Sequence, residues 1–132
     1  MQIVVDSSVL VAALNESDSQ HERGVAEIHA ASKPIVVPEY IVAETCAVLI
    51  QKANKRLADS FVREMGSNRD FRILFSTPEF FIATAQSFLS SRVKLSFLDC
   101  ALLVLSRTFD VRTFDKALAK AIRDGGAQQA SA

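Results

Sequence analysis

Four short apolar runs, each followed by a longer segment of helical periodicity, constrain this chain more than any other feature. They are Ile3-Val4-Val5, Pro34-Ile35-Val36-Val37, Phe71-Arg72-Ile73-Leu74-Phe75 and Val111-Arg112-Thr113-Phe114. Runs so short and so rich in β-branched residues suit strands covered on both faces. Their alternation with helices predicts a three-layer α/β domain, a central and mainly parallel sheet flanked by helices. No internal repeat or long linker divides the chain, so one domain is expected over residues 1–124, with a flexible tail at 125–132.

The helical segments carry their own punctuation. SSVLVAAL follows Asp6, and Glu16 and Asp18 lie near the start of the next helix, where negative charge is favourable. PEYIVAETCAVLIQKAN has Pro38 in its expected first turn, and NKRLADSFVREMGSN has Gly66 near its end. STPEFFIATAQSFLSS is capped by Ser76 or Thr77, SFLDCALLVLSRTF follows, and DKALAKAIRD closes the domain.

Composition removes several classes. With 49% hydrophobic residues in 132, disorder is excluded over most of the length. No leader pattern opens the chain and no apolar stretch is long enough to span a bilayer, so a soluble cytosolic protein with no membrane contact is expected. Cys46 and Cys100 lack metal-ligand spacing and are expected as free, buried thiols. Fifteen basic against fifteen acidic residues argue against a protein held on nucleic acid by bulk charge.

Four acids sit in awkward places. Asp6 follows the first strand and Asp115 the last, at the strand ends where parallel sheets gather their ligands. Taken singly, each has a structural explanation. Asp6 and Asp115 can cap the helices they precede, and Ser96-Phe97-Leu98-Asp99 has the spacing of a capping box. Glu44 is different. Its helix is apolar nearly all round, it shares a face with Ile41 and Val48, and no basic residue occurs between Pro38 and Gln51. An unpaired buried carboxylate is relieved by protonation, an external donor or a metal. A single Mg²⁺ or Mn²⁺, with its preference for oxygen ligands, would account for all four acids, and such a cluster can activate water against a phosphodiester.

In this order, IVVDSSVL, PEYIVAET, SFLDCALLVL and VRTFDKAL resemble the motifs of PIN-domain proteins, and closely those of the VapC toxins of toxin–antitoxin pairs. The resemblance runs to about Ala121. Asp6 with Ser7 and Ser8, Glu44, Asp99, and Thr113 with Asp115 match the family's successive motifs; Thr108-Phe109-Asp110 competes for the last of these. The resemblance implies a Mg²⁺- or Mn²⁺-dependent endoribonuclease, usually a homodimer, neutralised by a small cognate antitoxin. On that expectation Asp6, Glu44, Asp99 and Asp115 are the catalytic, metal-binding acids, and Ser8 and Thr113 support them.

Setting the four acids aside leaves 11 acidic against 15 basic residues. Arg92, Lys94, Lys116, Lys52, Lys55 and Arg56 are the candidates for an RNA phosphate track. His21 and His29 are given no catalytic role. Leu57, Phe61 and Met65 form a stripe that either faces the core or lines an exposed groove receiving an antitoxin segment, as the resemblance implies. Two rivals stand beside the nuclease. A phosphoaspartyl-type phosphatase also places an Asp after its first strand, but here Ser8 stands where its second acid belongs. An α/β interaction module would make every acid a cap, and Glu44 is the main argument against it.

Overall fold

The strands β1 (Ile3–Val5), β2 (Ile35–Pro38), β3 (Phe71–Leu74) and β4 (Asp110–Arg112) form one parallel sheet in the order β3-β2-β1-β4. The computed structural model describes the backbone of residues 1–131 and the side chains of residues 1–125. Between the strands run α1 (Ser7–Leu14), α2 (His21–Ala30), α3 (Glu39–Lys52), α4 (Lys55–Ser67), α5 (Pro78–Ser90) and α6 (Phe97–Leu105). Helix α7 (Lys116–Ser131) follows β4. Apart from the backbone course of α7, the tail expected at 125–132 lies outside the described residues. No helix among the described residues is long and apolar enough to cross a membrane.

Valines make the sheet. Val4, Val5, Val36 and Val37 are wholly buried, as strands covered on both faces require. The crossovers from β1 to β2 and from β2 to β3 advance in one direction, and the crossover from β3 to β4 returns past them. Right-handed connections then place α1–α4 on one face and α5 and α6 on the other. The packing agrees: α1 meets α2 and α3, α3 meets α4, and α6 meets α5 and α7. The chain reverses direction between β1 and β4, so the crevice beyond their carboxyl ends is the switch point where such sheets bind ligands.

Helix α2 lies so close to α1 that a methyl group at Gly24 would stand 2.6 Å from the Ala13 backbone nitrogen and 2.8 Å from Ala12 Cβ. Beside it, His21 Nδ1 donates to the Ala12 carbonyl at 2.8 Å.

Several expectations are corrected. The last strand is Asp110–Arg112 rather than VRTF, because the Asp110 amide joins the ladder at Gln2 and Arg112 pairs with both Asp110 and Glu27. Pro38 ends β2 in extended conformation, opposite Leu74, instead of sitting inside α3. Helix α3 is not buried all round: Ile41, Thr45 and Leu49 face the core, whereas Ile50 is half exposed. The stripe on α4 faces inward, with Phe61 and Met65 buried and Leu57 packed on the core. Apolar surface is exposed instead on and beside α5, at Phe75, Phe81, Ile82 and Leu89. Cys100 is buried and Cys46 half-buried, both free thiols.

Candidate active site

Strand β1 delivers Asp6 to the switch-point crevice, and the Asp6 amide donates to the Arg112 carbonyl at 2.9 Å, tying it to the end of β4. The Asp6 side chain is buried, and every one of its close polar contacts is a donor. Oδ1 accepts from the Ser7 amide at 2.7 Å, which is the cap that the sequence suggested. Oδ2 accepts from Thr113 Oγ1 at 2.7 Å and from Ser8 Oγ at 3.1 Å. The Ser8 hydroxyl also accepts from the Phe114 amide at 3.0 Å, so three short segments are knotted around one carboxylate. Cap and site are the same geometry here.

Glu44 comes to the crevice from α3. Ser7 Oγ donates to Glu44 Oε2 at 2.7 Å, so this acid is half-buried with a hydroxyl partner rather than unpaired. No cation pairs with it among the described residues. Burial pushes its proton affinity up most, the Ser7 bond opposes the rise, and the charges of Asp6 and Asp99 add to it.

Asp99 comes from α6, the opposite layer. It forms the expected capping box: Ser96 Oγ accepts from the Asp99 amide at 3.0 Å, and Asp99 Oδ2 accepts from the Ser96 amide at 3.2 Å. Burial raises its proton affinity; the two Ser96 contacts oppose this, and Asp115 and Asp6 add to it. Asp115 is exposed, and its Oδ1 accepts from the Leu118 amide at 3.0 Å as the cap of α7. Thr113 Oγ1 accepts from the Asp115 amide at 3.0 Å, which couples this last acid to the Asp6 cluster. The competing Asp110 lies at the other end of β4, paired with Arg112.

Glu44 is therefore influenced by Asp6 and Asp99, and Asp99 by Asp115 and Asp6, across the crevice, although no three of the acids close around one point among the described residues. Their donor chemistry nonetheless fits a hard divalent cation. Glu44 Oε1, Asp99 Oδ1 and Asp115 Oδ2 carry no protein hydrogen bond among the described residues, and all the potential ligands are oxygens.

Ser7, matched with Asp6 and Ser8 in the first motif but given no supporting role, is the residue that joins Asp6 to Glu44. Its signal was present, as the first hydroxyl of D-S-S at the first position of a helix. Arg23 was missed. Its guanidinium lies 4.0 Å over the Phe114 ring and donates to Gln20 Oε1 at 2.7 Å. Among the expected cations, Arg92, Lys94, Lys116 and Lys52 are exposed, and Lys55 is engaged by Asp59.

Fold and crevice define a class: a parallel α/β domain with acids from the sheet and both helical layers gathered at one strand edge. A profile of the PIN domain matches residues 3–123, and the chain belongs to that family. Its fold is similar to that of Mycobacterium tuberculosis VapC20, described as a sarcin–ricin loop cleaving toxin, with a TM-score of 0.82 at 18% identity. The match covers 91% of this chain and 95% of that one. No curated protein matches the sequence.

Proposed function

We propose that the chain is a Mg²⁺- or Mn²⁺-dependent endoribonuclease acting as a VapC-like toxin. The observation that carries this reading is the pair Glu44 and Asp99. They belong to opposite layers, both hold their protons more tightly than ordinary carboxyls, chiefly through burial, and neither pairs with a cation among the described residues. Asp6, Asp99 and Glu44 would hold the metal, with Asp115 as a further ligand or as the group that orients water. The cation, when bound, would stabilise charge on the phosphate and on the departing oxygen.

The chain's own residues do the rest. Thr113 and Ser8 hold Asp6 by two hydroxyl donors, and Ser7 holds Glu44, so two of the acids are oriented before substrate arrives. Asp115, exposed and with Oδ2 making no protein hydrogen bond among the described residues, would accept a proton from the attacking water. Water would add to phosphorus as the bond to the 3′ oxygen breaks; that oxygen takes a proton, leaving a 3′-hydroxyl on the upstream fragment, and the downstream fragment keeps the phosphate on its 5′ oxygen. Lys116, beside Asp115, with Arg92 and Lys94 ahead of α6, would meet the RNA backbone.

For the antitoxin, the cleft of about 530 Å³ between α1, α2, α4 and β3 would be the groove, and it includes Phe61 and Met65 of the α4 stripe. Leu14, Val25, Ile28, Met65 and Phe71 line it, which suits the apolar face of a short helix. The exposed apolar residues of α5 are the natural surface for a second copy of the chain. To test the reading, the purified chain is incubated with RNA in Mg²⁺, in Mn²⁺ and in chelator. Cleavage with either ion, abolished by chelator and by Asp6→Asn or Asp99→Asn, is the expected result; metal-independent cleavage, or full activity in either variant, would overturn it. Co-expression with a small neighbouring gene product tests the toxin role separately, by growth arrest and its relief.

A further inference from the structure

Beside the acids lies a second, smaller cavity, of about 280 Å³, walled by Ser7, Ser8, Asp18, Gln20, Val48 and Lys52. Ser7 and Ser8 are the two hydroxyls that hold Glu44 and Asp6, so the cavity opens from the acid site itself. From it we infer that this is the subsite for a single unpaired ribonucleotide next to the cleaved phosphate, an inference that rests on the nuclease reading above.

The polar groups fit that occupant. Arginine can only donate, so the bond from Arg23 sets the Gln20 amide with its oxygen toward Arg23 and leaves its NH₂ unspent. Asp18 Oδ1 accepts from the Gln20 backbone N–H at 2.8 Å, and Oδ2 has no protein hydrogen bond among the described residues. Two residues that line the cavity thus hold an unspent donor and an unspent acceptor among the described residues, the pair needed to read the edge of a base. Val48 offers an apolar surface for the face of a base, and Lys52, in no ion pair among the described residues, offers charge to a phosphate. Next to this wall, Arg23 over Phe114 supplies a second cation at the Ser8 side of the crevice. The space is small for a ligand pocket and far too small for a duplex. Bases splayed out of loops are the form in which RNA is read by sequence.

Binding can be measured without cleavage. The labelled full chain is titrated with the four ribonucleoside 5′-monophosphates, and separately with inorganic phosphate, while backbone amide shifts are followed by NMR. Saturable shifts centred on Asp18, Gln20, Val48 and Lys52 are expected for nucleotides and not for phosphate alone. Gln20→Ala should weaken binding about three- to tenfold, the worth of one hydrogen bond, and change the ranking of the four bases. Lys52→Gln should weaken all four alike. In RNA cleavage, Gln20→Ala should redistribute the cut sites. Shifts confined to other surfaces, or none at millimolar nucleotide, would overturn the inference while leaving the nuclease reading intact. Nucleotide binding with unchanged cut sites would also overturn it, by showing a pocket for free nucleotides only. A chain that binds nucleotide at these residues yet never cleaves RNA would instead defeat the nuclease reading, and the RNA subsite with it.

Discussion

The two halves of the acid site are held by different means. Asp6 and Glu44 are held across segments by side-chain hydroxyls, from Ser7, Ser8 and Thr113, in addition to the cap bond that Asp6 accepts from the Ser7 backbone amide. Asp99 and Asp115 are held by backbone amides of the helices they open. The first half exists only because three separate segments meet; the second is assembled by each helix start alone. Function and stability should accordingly separate in the first half and overlap in the second.

The largest effect expected is from Asp6→Asn, about a hundredfold or more loss of RNA cleavage, since outer partners of metal ligands alone are worth 10–100-fold. Asparagine still accepts the capping bond from Ser7, so thermal unfolding should stay within about 1 kcal/mol of wild type. A large loss of stability with cleavage retained would reverse the comparison. Thr113→Val comes next: it removes a donor to Asp6 and should cost about 10–100-fold in activity or metal affinity. Metal titration of the variant, read by melting temperature, checks whether the loss lies in binding.

Glu44 sharpens the contrast through pH. An acid whose proton affinity rises on folding lends stability that is complete below its unfolded pKa and is lost as pH climbs through the folded value. Glu44 and Asp99 are both raised, chiefly by burial, so without divalent ions the fold should weaken from about pH 4 upward, the ordinary carboxylate range. Glu44→Gln removes one share of that slope. Its chelated form should be more stable than wild type near neutrality, and Mn²⁺ should stabilise it less; equal slopes and equal Mn²⁺ gains would put Glu44 outside the strained group. The smallest effect is reserved for Ser96→Ala, which breaks the capping box at a cost of about 1 kcal/mol and lowers the melting temperature by a few degrees. Cleavage should fall far less than in Asp99→Asn, and an equal fall in both would mean that the box itself positions the acid.

What the sequence disclosed follows the same division. Features carried by a few consecutive residues were legible: the valine strands, the Asp6 cap, the box at Ser96 and Asp99, and Thr77 as one of two cap candidates for α5. Features that depend on a distant partner were not. β4 starts at Asp110 because of pairing with Gln2 and the Arg112–Glu27 contact, neither of which is visible in VRTF. The α4 stripe had the spacing of either a core face or a groove, and only the position of α1 and the sheet decides that Phe61 is buried. Glu44 looked partnerless because its partner is a serine 37 residues away.

Gly24 bears on the site from a distance. The close approach of α2 to α1 at that point leaves no room for a methyl group, and α2 carries both Arg23 and, at its N-cap, Gln20. One missing carbon therefore acts as a spacer gauge for the wall beside the acids. Any larger residue at position 24 must wedge the two helices apart, and the displacement would reach Arg23 and Gln20 before it reached Glu44 or Asp99, which ride on α3 and α6. The wall and the acids hang from different supports, so one can be re-cut by substitution while the other keeps its shape.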